Sequence, residues 1–175
     1  MLKSAPMIVR SYEGKTPRIG DRVFVADNAA IIGDVVLGDD ASIWFSTTIR
    51  GDCNYIRIGA RTNIQDNCTL HVNHINGPTI IHEEVTIGHG AIVHGCTVHR
   101  GALIGMGSRV LDFAVIGENA LVGAGALVPE GMIVPPRTLV VGVPARVKRP
   151  LTEEEIERLE TSWKLYIEYK NNYLS

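Results

Sequence analysis

Three histidines stand where their side chains can share one task. His71 is followed eighteen residues later by His89, and His94 comes five after that. A catalytic zinc centre takes three protein ligands and keeps a fourth position open to water, and three imidazoles meet that need. Of the other histidines, His82 and His99 read as packed or solvated side chains. His74 either lines the mouth of a site or merely sits in a loop. Cys53, Cys68 and Cys96 have no disulfide spacing. All three are expected as small buried thiols, and free thiols suit a reducing cytoplasm.

The scaffold that must hold these side chains is written in six-residue words. From Ile19 the sixth residues are Val25, Ile31, Leu37, Ile43 and Ile49. From Val98 they are Ile104, Val110, Ile116, Val122, Val128, Val134 and Val140. Four residues after an aliphatic stands something small, as at Ala41, Thr47, Thr62, Ala91, Ala102, Ser108 and Ala120. Glycine often follows the aliphatic directly, as at Gly38, Gly59, Gly105 and Gly123. Such a period suits neither a helix of about 3.6 residues per turn nor an alternating hairpin sheet. It predicts an all-β solenoid, a parallel β-helix whose short strands turn after every word and whose coils rest on one another. Its likeness to other hexapeptide-repeat proteins implies a left-handed coil, against the usual crossover preference.

Three interruptions break the frame: extra residues between Ile49 and Ile58, a loop around Asn73 to Pro78, and a slip between Ile87 and Val98. The histidines lie beside the last two, where loops serve binding. Five residues of extended chain span at most about 16 Å, so His89 and His94 belong on successive faces of one coil. Side chains leaving different faces cannot close on an ion whose bonds to nitrogen are only about 2 Å. The spacing therefore predicts a homotrimer with metal sites between its subunits. His71 lies about one coil before His89, so one chain is expected to supply two ligands and its neighbour the third.

The chain has 175 residues, few aromatics and a net charge of −2. No basic block offers itself to nucleic acid. Residues 1–14 carry no apolar leader core, and no run reaches membrane-spanning length. Residues 1–150 are expected as the β-helix domain. At Thr152 the composition shifts: Thr152 and Glu155 make a capping box, and Ile156, Leu159, Trp163, Tyr166 and Tyr173 recur at helical spacing. Residues 151–175 therefore read as a helix packed on the outside of a β-helix.

At this point the residues resemble a family. The segments Ile49-Arg50-Gly51-Asp52, Asn63-Ile64-Gln65-Asp66-Asn67, Leu70-His71 and Gly88-His89 through Val93-His94 resemble the gamma-class carbonic anhydrases. So does the ending Val141-Gly142-Val143-Pro144-Ala145-Arg146 ahead of a helix. The resemblance implies that His71 and His94 of one subunit and His89 of the next hold Zn²⁺, with Fe²⁺ or Co²⁺ as alternatives. It implies that Gln65 hydrogen-bonds beside the site and places substrate. Arg50 and Asp66 would pair across the interface, with Asp52 supporting them.

The implied activity is the reversible hydration of CO₂ to bicarbonate, with metal-activated water as the attacking group. Where some members carry carboxylates for proton export, this chain has Cys53 and His74, so His74 and Tyr166 are the candidate relays. Two other readings stay open. One is a hexapeptide acyltransferase using acyl-CoA, with one histidine as general base and a groove for the pantetheine arm. The other is a non-catalytic, metal-bearing binding or scaffold trimer.

Overall fold

The computed structural model describes residues 7–175. The reading of residues 1–14 as leaderless, and the start of the 1–150 domain, fall in part on residues 1–6, outside that range. From Met7 onward the chain winds into a left-handed parallel β-helix of about 7 turns and ends in a single helix.

Each turn contributes to three faces. The first face carries Ile8–Arg10, Thr69–His71, Ile92–His94, Arg109–Val110 and Leu127–Val128. The second carries Arg18–Ile19, Thr79–Ile81, Thr97–Val98, Val115–Ile116 and Ile133–Val134. Two long strands, Ala30–Leu37 and Thr48–Ile58, run through the corner between these faces and join them into a 12-stranded sheet. The third face is an 8-stranded sheet whose seven parallel strands run from Phe24–Val25 to Thr138–Gly142 and whose eighth is Ala145–Pro150. There the last strand turns back, and Ala145–Pro150 pairs with it antiparallel.

The hexads explain the stacking. Three words make one coil, so an inward aliphatic lies over the residue eighteen further on, as Ile31 over Ile49 and Ile104 over Val122. Three columns result, and Ile31, Ile49, Leu70, Val93, Val110 and Val128 of one are all fully buried. Each such side chain contributes roughly 1.5–3 kcal/mol on leaving water. The small slots sit at the corners. Thr47 and Thr62 occupy two of them, and each hydroxyl donates to a carbonyl of the next coil. Glycine follows the aliphatic because backbones meet there: a Cβ on Gly59 would lie 2.3 Å from the Glu83 nitrogen, and one on Gly105 2.5 Å from that of Ala124.

Two details depart from the sequence reading. Ile19 is exposed on the end coil, whose second-face strand pairs, among the described residues, with Ala30–Leu37 alone. Cys53 is exposed rather than buried. It lies in the extra residues that let Gly33–Val35 span the same height as Gly51–Ile56, outside the inward frame. Cys96 is buried two residues before Val98, in the small slot.

The helix Glu153–Leu174 begins with the expected box, Thr152 Oγ1 accepting from the Glu155 amide at 3.2 Å and the Glu155 carboxylate accepting from the Thr152 amide at 2.9 Å. It lies on its own third face, against Phe24–Val25, Ser42–Ile43 and Thr86–Ile87. Tyr166 and Tyr173 meet Trp44 edge-on, at ring-centroid separations of 5.2 and 5.5 Å. Lys170 shares this stripe and is wholly buried, its ammonium 3.0 Å from Asp40 and donating to Asn171 Oδ1 at 2.8 Å.

Asp40 also holds Arg22 and keeps some contact with water. Lys170→Met should therefore cost less than the about 3–5 kcal/mol of breaking a fully buried pair. A loss of about 1–3 kcal/mol is expected, read as a lower urea midpoint at fixed protein concentration. An unchanged midpoint would show that the buried ammonium does not anchor the helix.

Candidate metal centre

His71 and His94 end successive strands on the first face and stand side by side in register. This corrects the expectation that His71 lies one coil before His89. The loop through Asn73–Gly77, closed by a bridge between those two residues, lengthens that coil, so the partner one coil on is His94 rather than His89. The Thr79 hydroxyl, donating to the His71 carbonyl and accepting from the Gly95 amide, ties the loop's exit to both histidine strands.

The two rings are set from behind. His71 Nε2 lies 2.9 Å from Asp52 Oδ1, and His94 Nδ1 is hydrogen-bonded to Asp112 Oδ1. Asp52 also receives Arg50 and the Cys53 amide. Burial opposes its charge, yet the bonds from His71, Arg50 and Cys53 hold its carboxyl well below the usual carboxylate range. Asp112 is likewise lowered, with burial again opposed by Asn73 and His94. An ionised carboxylate only accepts, so each facing ring nitrogen carries a proton, and in a neutral ring the opposite nitrogen keeps a lone pair. Those opposite atoms, His71 Nδ1 and His94 Nε2, converge at 3.0 Å. At that distance a ring protonated on both nitrogens would donate to the other, and two neutral rings would turn a pair of lone pairs toward one point, the arrangement that a cation can bridge. Two bonds of about 2.0 Å in a tetrahedron place ligand nitrogens about 3.3 Å apart, so the pair fits a divalent metal with small ring rotations.

His89 lies elsewhere. It follows Thr86–Ile87 of the third face, at the corner leading into Ile92–His94, while His71 and His94 stand at the far edge of the first face. Its Nδ1 is 2.8 Å from Asp66, and its amide donates to Gln65 Oε1 at 3.1 Å. Gln65 is buried and donates to Asn63 Oδ1. Tyr166 shares with Asp66, Trp44 and Phe45 a cavity of about 420 Å³, and burial pushes its hydroxyl up to about 12.

All three histidines are thus backed by a carboxylate, the arrangement that orients metal-binding imidazoles. One chain brings His71 and His94 together and keeps His89 apart with Gln65 and Asp66. Within the chain Arg50 pairs with Asp52, not with Asp66. His74 is exposed on the loop and makes no hydrogen bond among the described residues. His82 and His99 stack on each other with ring centroids 4.9 Å apart, on another edge of the prism. Sequence reasoning missed Asp112. Its signal was the coil repeat itself, since it stands eighteen residues after His94.

The family model described as bacterial transferase hexapeptide (six repeats) matches residues 16–51 and 95–130. A carbonic anhydrase of Geobacillus kaustophilus is 54% identical over 95% of this chain and 91% of its own length. A probable carbonic anhydrase of Methanocaldococcus jannaschii is 46% identical, covering 85% of this chain and 93% of that protein. The crystal structure of a hexapeptide transferase family protein from Anaplasma phagocytophilum superposes with a TM-score of 0.92 at 44% identity, covering 95% of this chain and 98% of that one.

Asp112→Asn keeps the size of the side chain and removes the charge that orients His94. It should weaken zinc binding by about 10–100-fold with the circular dichroism spectrum unchanged, measured by competition with a zinc-binding dye. Unaltered affinity would show that Asp112 does not orient a ligand.

Proposed function

The chain belongs to the gamma-class carbonic anhydrase family, and on that premise we propose that it hydrates CO₂ reversibly at metal ions held between the subunits of a homotrimer. His71 and His94 of one subunit and His89 of the next are the ligands. Zn²⁺ is the metal of first choice, with Fe²⁺ and Co²⁺ acceptable to the same neutral nitrogens. The observation that carries this reading is the convergence of His71 Nδ1 and His94 Nε2 at 3.0 Å, each ring held from behind by a carboxylate. When bound, the metal supplies the Lewis acidity that lowers the pKa of a coordinated water from about 15.7 to about 7.

The protein's own groups do the rest. Two ligands within one chain leave a set of three incomplete, and His89 at the opposite edge of the first face supports completion by a neighbour. In that arrangement Gln65 arrives beside His89 and turns its amide to the small substrate. Arg50, exposed at the edge beside Asp52, reaches Asp66 of the adjoining subunit. Tyr166, pushed up to about 12, keeps its proton at neutral pH and acts as a donor that positions. His74, exposed three residues after His71, is the group able to exchange protons with bulk solvent. No helix among the described residues is long and apolar enough to cross a membrane. The buried Cys68 and Cys96 support a reducing cytoplasm as the setting.

One observation favours the acyl-transfer reading. A groove of about 390 Å³, lined mainly by apolar atoms, runs beside His89 past Met106, Val122 and Ala124 to Ser162 of the helix. The sequence had offered no sign of such a groove. Assays with acyl-CoA and with CO₂ separate the two activities.

Light scattering should give about three times the chain's 19.1 kDa. Replacing His71, His89 or His94 singly by Ala should strip the metal and lower CO₂ hydration by more than the about 10–100-fold expected from losing an outer carboxylate. His82→Ala should do neither. A tight one-to-one metal complex in a monomer, or full metal in His89→Ala, would sink the shared site.

His74→Ala should lower kcat at low buffer more than kcat/KM, because proton export follows the hydration step. Added imidazole should restore part of the rate. An unchanged kcat at low buffer would make His74 a loop residue only.

A further inference from the structure

Behind His71 lies a second group of metal-type donors. Asp52, Cys53 and His71 each offer one ligand atom, and the three atoms lie within 4.8 Å of one another. The Cys53 amide donates to Asp52 Oδ1 at 2.8 Å, and His71 Nε2 reaches the same oxygen at 2.9 Å, so the carboxylate is held from two sides. Cys53 is the exposed thiol of this chain, and its Sγ lies 4.0 Å from the carbonyl of Val72, the residue after His71. The ring nitrogens of an imidazole point in different directions. His71 Nδ1 faces His94, which leaves Nε2 for this second group.

We propose that Asp52, Cys53 and His71 form a second metal site, contained within one chain, that takes a thiophilic divalent cation such as Cd²⁺ or excess Zn²⁺ and suppresses CO₂ hydration when filled. Sulfur, imidazole nitrogen and one carboxylate select zinc-like and softer ions over Mg²⁺ or Ca²⁺. Bonds of about 2.3 Å to sulfur and about 2.0 Å to nitrogen place tetrahedral ligand atoms roughly 3.5 Å apart. A side-chain rotation at exposed Cys53 closes that gap. The protons of the thiol and of His71 Nε2 pass to solvent as the metal–sulfur and metal–nitrogen bonds form. A cation on Nε2 replaces the hydrogen bond by which Asp52 orients the ring whose Nδ1 serves the first site, and pulls that ring out of its alignment with His94. The suppression rests on the function proposed above; the cation site does not.

The test titrates Cd²⁺ into protein already carrying one zinc per chain and follows thiolate-to-metal absorption in the near ultraviolet, bound metal and CO₂ hydration together. The wild type should take up a second equivalent with a thiolate band and lose activity in step. Cys53→Ser should lose the band and the second equivalent while keeping its zinc, and Asp52→Asn should weaken the second equivalent. The buried Cys68 and Cys96 should contribute no band. His94→Ala separates the two readings, because it should lose the first metal and keep the band. No band in the wild type overturns the proposal. So does a band that persists in His71→Ala, which would mark a lone surface thiol. A band and second equivalent without loss of hydration would overturn the suppression.

Discussion

Everything in this molecule depends on the register of one coil upon the next. A regular coil of three words places its inward aliphatics over counterparts eighteen residues on, coils with added residues keep the same columns at longer spacing, and the backbone hydrogen bonds between coils lock that alignment. A slip by one residue would turn the inward column out to solvent. The aliphatic positions are therefore near invariant in type along this chain, whereas the outward positions are free to carry charge, loops and histidines.

Register also explains what the sequence made legible. The period of six revealed the β-helix because each slot has one physical demand: an aliphatic inside, a small residue at the corner, a glycine where backbones touch. The capping box at Thr152 was equally plain, since its two side chains are three residues apart. The stacking of His71 was not legible in the same way. It depends on how many residues the loop before Pro78 adds to one coil, and counting by eighteen pointed to His89 instead of His94. Cys53 was misplaced for the same reason, because extra residues in Thr48–Ile58 step out of the frame. Lys170 sits on the apolar stripe with Tyr166 and Tyr173, but its charge argued against burial, and Asp40 lies far away in sequence. The separation of His89 from His94 followed from chain length alone.

The site combines this rigidity with charge. Asp52, Asp66 and Asp112 each stand behind one imidazole, so ring orientation is set before any cation arrives. Arg50 offsets part of the negative charge at Asp52, and Asn73 binds Asp112 through a neutral amide. The chain thus presents nitrogen lone pairs at its edges while its carboxylates are occupied with fixing them.

The pairing of His71 with His94 sets two donor nitrogens side by side, at a spacing ruled by the backbone. Neighbouring strands lie about 4.8 Å apart, and the two ring centroids are 5.1 Å apart. The rise of the solenoid thereby sets the distance between donor atoms, as a ladder sets the distance between rungs. A metal entering such a clamp would find its first two ligands already gathered but for small ring rotations. Register alone does not make such a clamp, for His82 and His99 also stand side by side on adjoining coils and stack instead. A carboxylate behind each ring is what turns a pair of outward histidines toward a shared point, and such a pair could be moved along the prism in whole coils without redesigning its core.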